Sequence, residues 1–186
     1  MGKEAAFTLI ELLISIAVLI VLLTVGIPTL VDLTRDNRLI AVNNTLNAAL
    51  QLARSEAIKQ QRDVVLCKSD DGSKCVTTGT WDQGWIVFHD HDGDRQCDDP
   101  DGDLICADGG RIVLIHNGIK TPEIVISGGH GNTGKRVVFT RTGFAIGYAG
   151  TFSICDSRGV AAARGLVLSM IGRIRQAGSG DNINCP

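Results

Sequence analysis

Three hydrophobic patterns follow one another along this chain of 186 residues. In residues 7–31, 18 of 25 positions are apolar and Glu11 is the one charge; residues 12–31 carry none. A helix rises about 1.5 Å per residue and needs roughly twenty residues to cross the hydrocarbon layer, so this run predicts a membrane-spanning helix. A cleaved secretory signal has an apolar region of only about 7–15 residues ending at a small-residue cleavage site, whereas this run is longer and continues past Pro28. Pro28 lacks an amide donor and is expected to kink the helix. Over residues 32–61 the pattern turns amphipathic. Leu39, Val42, Leu46, Ala49, Leu50, Ala53 and Ala57 recur at helical spacing, and Asn43, Asn44, Asn47, Gln51, Arg54 and Glu56 occupy the other side. One long helix from the membrane into a head is the expectation; an anchor followed by a separate helix is the alternative. Residues 62–186 then show short β-type runs punctuated by glycine at 64–67, 85–89, 112–115, 124–127, 137–140, 152–155 and 166–170. An antiparallel sheet packed on the amphipathic half of the helix gives an α+β fold.

Glu11 is the first candidate for chemistry. An ionised carboxylate near lipid is costly and calls for a partner, here a free amino terminus. The stretch Phe7-Thr8-Leu9-Ile10-Glu11-Leu12-Leu13 resembles the prepilin motif of type IV pilins and type II secretion pseudopilins. The resemblance implies that prepilin peptidase removes residues 1–6 on the cytoplasmic side, cutting between Ala6 and Phe7. Phe7 is then N-methylated, and Glu11 pairs with the amino terminus of a neighbouring subunit during assembly. Ala6 stands where the family usually has glycine, a small-for-small exchange. Further along, Ala53-Arg54-Ser55-Glu56-Ala57, Gly84-Trp85-Ile86-Val87-Phe88 with the aspartate-rich loop after it, and the region from Ala163-Arg164-Gly165 to Gly172-Arg173-Ile174-Arg175 resemble the H branch of minor pilins and pseudopilins. That branch includes proteins of the FimT, FimU and GspH kinds. The resemblance implies a type IV pilin fold and a non-enzymatic filament subunit without cofactor. Its partners would be other major and minor pilins or pseudopilins. It would sit in the inner membrane as a single-pass protein with its head in the periplasm, and later in the pilus outside the cell.

All six cysteines lie beyond residue 66, on one side of the span. In a bacterial envelope protein that side is the periplasm, where disulfides persist. Six cysteines allow fifteen pairings. Sequence proximity favours Cys67 with Cys75 and Cys97 with Cys106, which leaves Cys155 with Cys185 to staple the tail. Zinc on His89, His91, Cys97 and Cys106 is an alternative, although their spacing matches no recognised ribbon or finger. The loop Asp90-His91-Asp92-Gly93-Asp94 alternates carboxylates as calcium loops do, but lacks the EF-hand's terminal glutamate. A solvated acidic loop is the default, and metal ligands are not assigned. No GxSxG, HExxH or phosphate-cradling glycine loop occurs. The 22 glycines, above the usual share of about 7%, suit many tight turns, and no internal repeat is expected.

The net charge of −2 conceals a split. Residues 70–108 hold eleven aspartates against Lys74 and Arg95, a net of −9; residues 109–180 hold nine Lys and Arg, including Lys120, against Glu123 and Asp156, a net of +7. A basic region is what a phosphate-backbone binder needs. If Gly172-Arg173-Ile174-Arg175 is extended, both guanidinium groups share a face about 7 Å apart and Ile174 points the other way. Forked arginine donors at that spacing engage successive phosphates. A GRxR motif in FimT-type minor pilins is associated with DNA binding in natural transformation, so the resemblance implies DNA as a partner. The expected contacts are Gly172, Arg173 and Arg175, with Lys135, Arg136 and Arg141.

Overall fold

The computed structural model describes residues 8–119, 123–129 and 131–185. The cleavage and methylation positions Ala6 and Phe7, and Lys120 of the basic set, lie outside these. One helix, α1, runs Leu9–Gln60. At its start the Thr8 hydroxyl accepts the Glu11 amide at 3.3 Å, satisfying one of the orphan donors of a first turn. Pro28 lies inside the helix without interrupting it. The chain forms two compact units, Met1–Arg38 and Leu39–Pro186.

In the first unit the large apolar side chains face outward. The most apolar 18-residue window has a mean hydropathy of 2.8 and none of it is buried, so this helix is long and apolar enough to cross a membrane. Its hydroxyls are internally satisfied: Ser15 Oγ donates to the Glu11 carbonyl at 2.7 Å and Thr24 Oγ1 to that of Val21 at 2.9 Å. That arrangement suits lipid, which offers polar groups no partner.

In the second unit the predicted stripe is the buried one: Leu39, Leu46, Ala49, Leu50, Ala53 and Ala57 lie in the core. Asn43 departs from its expected place on the polar side. It is buried, and its Nδ2 donates to Gln176 Oε1 at 2.9 Å, so a hydrogen bond to a residue 133 positions away offsets part of the cost of its burial. The helix closes with the Arg62 amide donating to the Ala57 carbonyl while Gln61 takes φ +53°, the six-to-one bond of a Schellman end.

Eight antiparallel strands follow: β1 Val64–Lys68, β2 Gly84–His89, β3 Ile112–Asn117, β4 Val125–Ser127, β5 Arg136–Phe139, β6 Gly150–Cys155, β7 Arg164–Leu168 and β8 Ile174–Gln176. Seven match the expected runs. They form two four-stranded sheets, β3-β2-β1-β5 and β4-β6-β7-β8, rather than a single one. Alternation marks a run as a strand but not its neighbours, which long-range pairing decides: β4 pairs with β6, Ile126 opposite Ile154, and β5 returns to β1. Trp81 joins the two layers, meeting Phe152 edge to face at 5.5 Å and donating to the Thr133 carbonyl at 3.0 Å.

The expectation of no repeat fails locally. Asp90-His91-Asp92-Gly93-Asp94-Arg95-Gln96-Cys97 and Asp99-Pro100-Asp101-Gly102-Asp103-Leu104-Ile105-Cys106 share D-x-D-G-D-x-x-C at a period of nine. They also share backbone conformation: Gly93 and Gly102 have φ +87° and +74°, Arg95 and Leu104 +63° and +68°.

Candidate functional site

The hairpin joining β7 to β8 carries the arginine motif. Its turn spans residues 169–173 and is closed by the Gly172 amide on the Ser169 carbonyl at 2.9 Å and the Ser169 amide on the Arg173 carbonyl at 3.0 Å. The Ser169 hydroxyl also accepts the Arg173 amide at 3.1 Å. Gly172 is required here, because φ is +74° and a Cβ would stand 1.9 Å from the Gly143 carbonyl oxygen. Beyond the turn, Ile174 packs against the core while Arg173 and Arg175 are exposed, the alternation an extended segment imposes.

Arg54 fixes the turn from below. Its Nε donates to the Gly143 carbonyl at 3.2 Å and its Nη2 to the Ile171 carbonyl at 3.4 Å. The turn bearing Arg141 and the turn bearing Arg173 are thus held by one helical side chain. From the sequence Arg54 was visible only as part of the helix's polar side and of a family-like stretch, since a polar residue on a helix gives no sign of a partner 89 residues away.

The two motif arginines differ. Arg175 forms a forked pair with Asp181, Nη1 to Oδ2 at 2.6 Å and Nη2 to Oδ1 at 2.7 Å. The Gly178 amide adds a third bond to Asp181 at 2.7 Å. The Arg175 hydrogen bond, with the Gly178 amide beside it, holds the Asp181 carboxyl down at about 2 and raises the Arg175 pKa further. Asp181 lay one residue past the basic stretch counted from the sequence; including it, the stretch nets +6.

The remaining expected contacts separate. Arg136 is half-buried and its Nη1 donates to the Arg95 carbonyl, so it braces the acidic loop. Arg141 is exposed and shares a shallow depression with Asp90, His91 and Asp92. Lys135 lines a different cleft, with Lys68.

Three disulfides are present: Cys67–Cys75, Cys97–Cys106 and Cys155–Cys185. The second consumes both thiolates of the zinc alternative. In the acidic repeat, the first aspartate of each loop is buried and accepts backbone amides. Asp90 Oδ1 takes Gly93 and Arg95 at 3.0 and 3.4 Å; Asp99 takes Gly102 and Leu104 at 2.8 and 3.0 Å. Burial raises the Asp90 pKa, partly opposed by those amides. Carboxylate oxygens of Asp90, Asp92, Asp94 and Asp108 converge within 4.8 Å, as do those of Asp99, Asp101 and Asp103.

With this geometry in view, residues 43–172 match the family described as type II transport protein GspH. The chain belongs to the GspH family. Residues 1–27 of this GspH-family chain match the prokaryotic N-terminal methylation motif. Its fold is that of the type IV minor pilin FimU of Pseudomonas aeruginosa. One crystal form is 24% identical with a TM-score of 0.55, covering 80% of this chain and 95% of that one. A second is 22% identical with a TM-score of 0.53, covering 76% and 94%. None of the curated proteins matches. Family and fold are those of pilins and pseudopilins, which are structural proteins.

Proposed function

We propose that this chain is a minor pilin of a type IV pilus, assembled in the tip or initiation complex, that captures DNA in natural transformation without reading its sequence. Cleavage after Ala6 frees Phe7 for methylation, and Glu11 is neutralised by a neighbouring amino terminus as the apolar helices pack. The head stands in the periplasm until assembly carries it outside the cell. The observation that carries the DNA reading is the β7–β8 hairpin, which presents Arg173 and Arg175 from one exposed face on a turn anchored by Arg54. Forked donors at alternate positions of an extended segment suit successive phosphates, and phosphate contacts give affinity independent of base identity.

The test replaces Arg173 and Arg175 with glutamine in the full chain, held in non-ionic detergent, and measures DNA retention over a salt series. Weaker retention with a shallower salt dependence is expected; unchanged affinity and slope would sink the idea. A second reading, a minor pseudopilin of a type II secretion system that binds no DNA, is favoured by the description of the matched family. Adjacent genes for pilus assembly or for secretion separate the two readings.

A further inference from the structure

A cleft of about 970 Å³ is lined from both sheets and by the glycine-rich segment before β5. Lys68, the last residue of β1, is buried, and its ammonium donates to the carbonyls of Thr77 at 3.3 Å and Gly79 at 2.8 Å. An ammonium has three donors, so these two bonds leave one over. Lys135 lines the same cleft from its exposed position. Among the described residues that line it there is no aspartate or glutamate, in a chain with 20 of them. The other lining residues are neutral and include Thr78, Thr151, Asn182 and several glycines.

A buried cation whose partners are carbonyl dipoles is costly to keep charged, and a second cation nearby raises that cost. Burial, and after it the charge of Lys135, hold the Lys68 pKa below its usual value. An anion between the two ammonium groups removes both penalties. Lys68 and Lys135 line one cleft and are neighbours across the β1–β5 edge, the Lys68 amide donating to the Lys135 carbonyl at 3.4 Å, so a doubly charged anion suits the pair better than a singly charged one.

We infer that this cleft is a binding site for a phosphate group, held between the ammonium groups of Lys68 and Lys135. The group arrives as free phosphate or as part of a nucleic-acid backbone. The site stands independently of the arginine hairpin, since neither Arg173 nor Arg175 lines it.

The experiment titrates inorganic phosphate into the full chain in non-ionic detergent, with chloride at matched ionic strength as control, following lysine Nζ resonances and calorimetric heat. Saturable binding that moves Lys68 is expected. Removing one charge-assisted contact by Lys135→Gln, an exposed position that leaves folding intact, weakens it roughly tenfold. Lys68→Met abolishes it; should that variant fail to fold, Lys135→Gln and the Lys68 resonance still decide. Bound phosphate raises the Lys68 pKa, so affinity falls as pH rises through the depressed free value. Phosphate that moves Lys68 no further than chloride does, or binds Lys135→Gln as tightly as the parent chain, overturns the site. In an Arg173→Gln/Arg175→Gln background, a short oligonucleotide that displaces phosphate identifies a nucleic-acid source, and one that does not identifies free phosphate. Loss of DNA retention at the hairpin is read separately and leaves this result untouched.

Discussion

Asp181→Asn is the substitution that most directly probes the hairpin. In the native structure the Asp181 carboxylate takes both outer nitrogens of Arg175 at 2.6 and 2.7 Å. A DNA phosphate must displace it or leave Arg175 out of the contact. Asparagine keeps an acceptor for the Gly178 amide but removes the charge that competes with phosphate. If the pair is closed in the parent complex, the variant gains one phosphate contact, and the slope of log affinity against log salt steepens by about 0.9 for duplex DNA. Between 50 and 200 mM salt the affinity advantage of the variant then shrinks about 3.5-fold, the fourfold rise in salt raised to that exponent. Fluorescence anisotropy of a labelled duplex with the full chain in non-ionic detergent reads both slope and affinity. Higher affinity with a steeper slope supports competition by Asp181. An unchanged slope with lower affinity refutes it, and would mean that Asp181 orients Arg175 toward phosphate.

Three further outcomes are expected. The Asp181 carboxyl titrates near 2 by NMR and moves back toward 3.8 in Arg175→Gln; its folded value is depressed, so its contribution to stability is full above 3.8 and is lost as pH falls toward 2. Replacing Cys155 and Cys185 together with serine releases a loop with a sequence separation of 30, lowering unfolding stability by about 3.6 kcal/mol on the chain-entropy account; denaturant melts should show a loss about 1 kcal/mol larger than for the Cys67–Cys75 pair, whose separation is 8. Gly172→Ala forces a side chain into a left-handed backbone against the Gly143 carbonyl; it should cost about 2 kcal/mol or more, detectable as a lower melting midpoint.

Local features were readable from the residues themselves. The apolar run from Leu12 and the stripe from Leu39 to Ala57 follow from helical periodicity, and seven strands from short β-type runs between glycines. What sequence reading missed depends on pairing at long range. Two sheets form because β4 chooses β6, Asn43 is buried because Gln176 comes to meet it, and Arg136 is drawn to a carbonyl 41 residues away. The acidic repeat was a different kind of miss. Its signal, D-x-D-G-D-x-x-C twice, lies open in the sequence and is obscured only because the intervening residues differ.

The placement of the basic residues also changes what the charge split means. A net positive stretch suggests one continuous surface, yet its members divide among structures with different neighbours. Arg136 and Arg141 stand beside the aspartate loop, Arg175 is held by Asp181, and Lys135 lies beside Lys68 in a cleft whose described lining residues include no carboxylate. Summed charge therefore overstates the number of cations available to one phosphate chain. Arg173 is exposed on a turn whose glycine, serine and Arg54 contacts fix its backbone, so it is the motif residue whose removal alone should lower DNA retention most. Neutralising Lys135 should instead register chiefly in phosphate binding at the cleft.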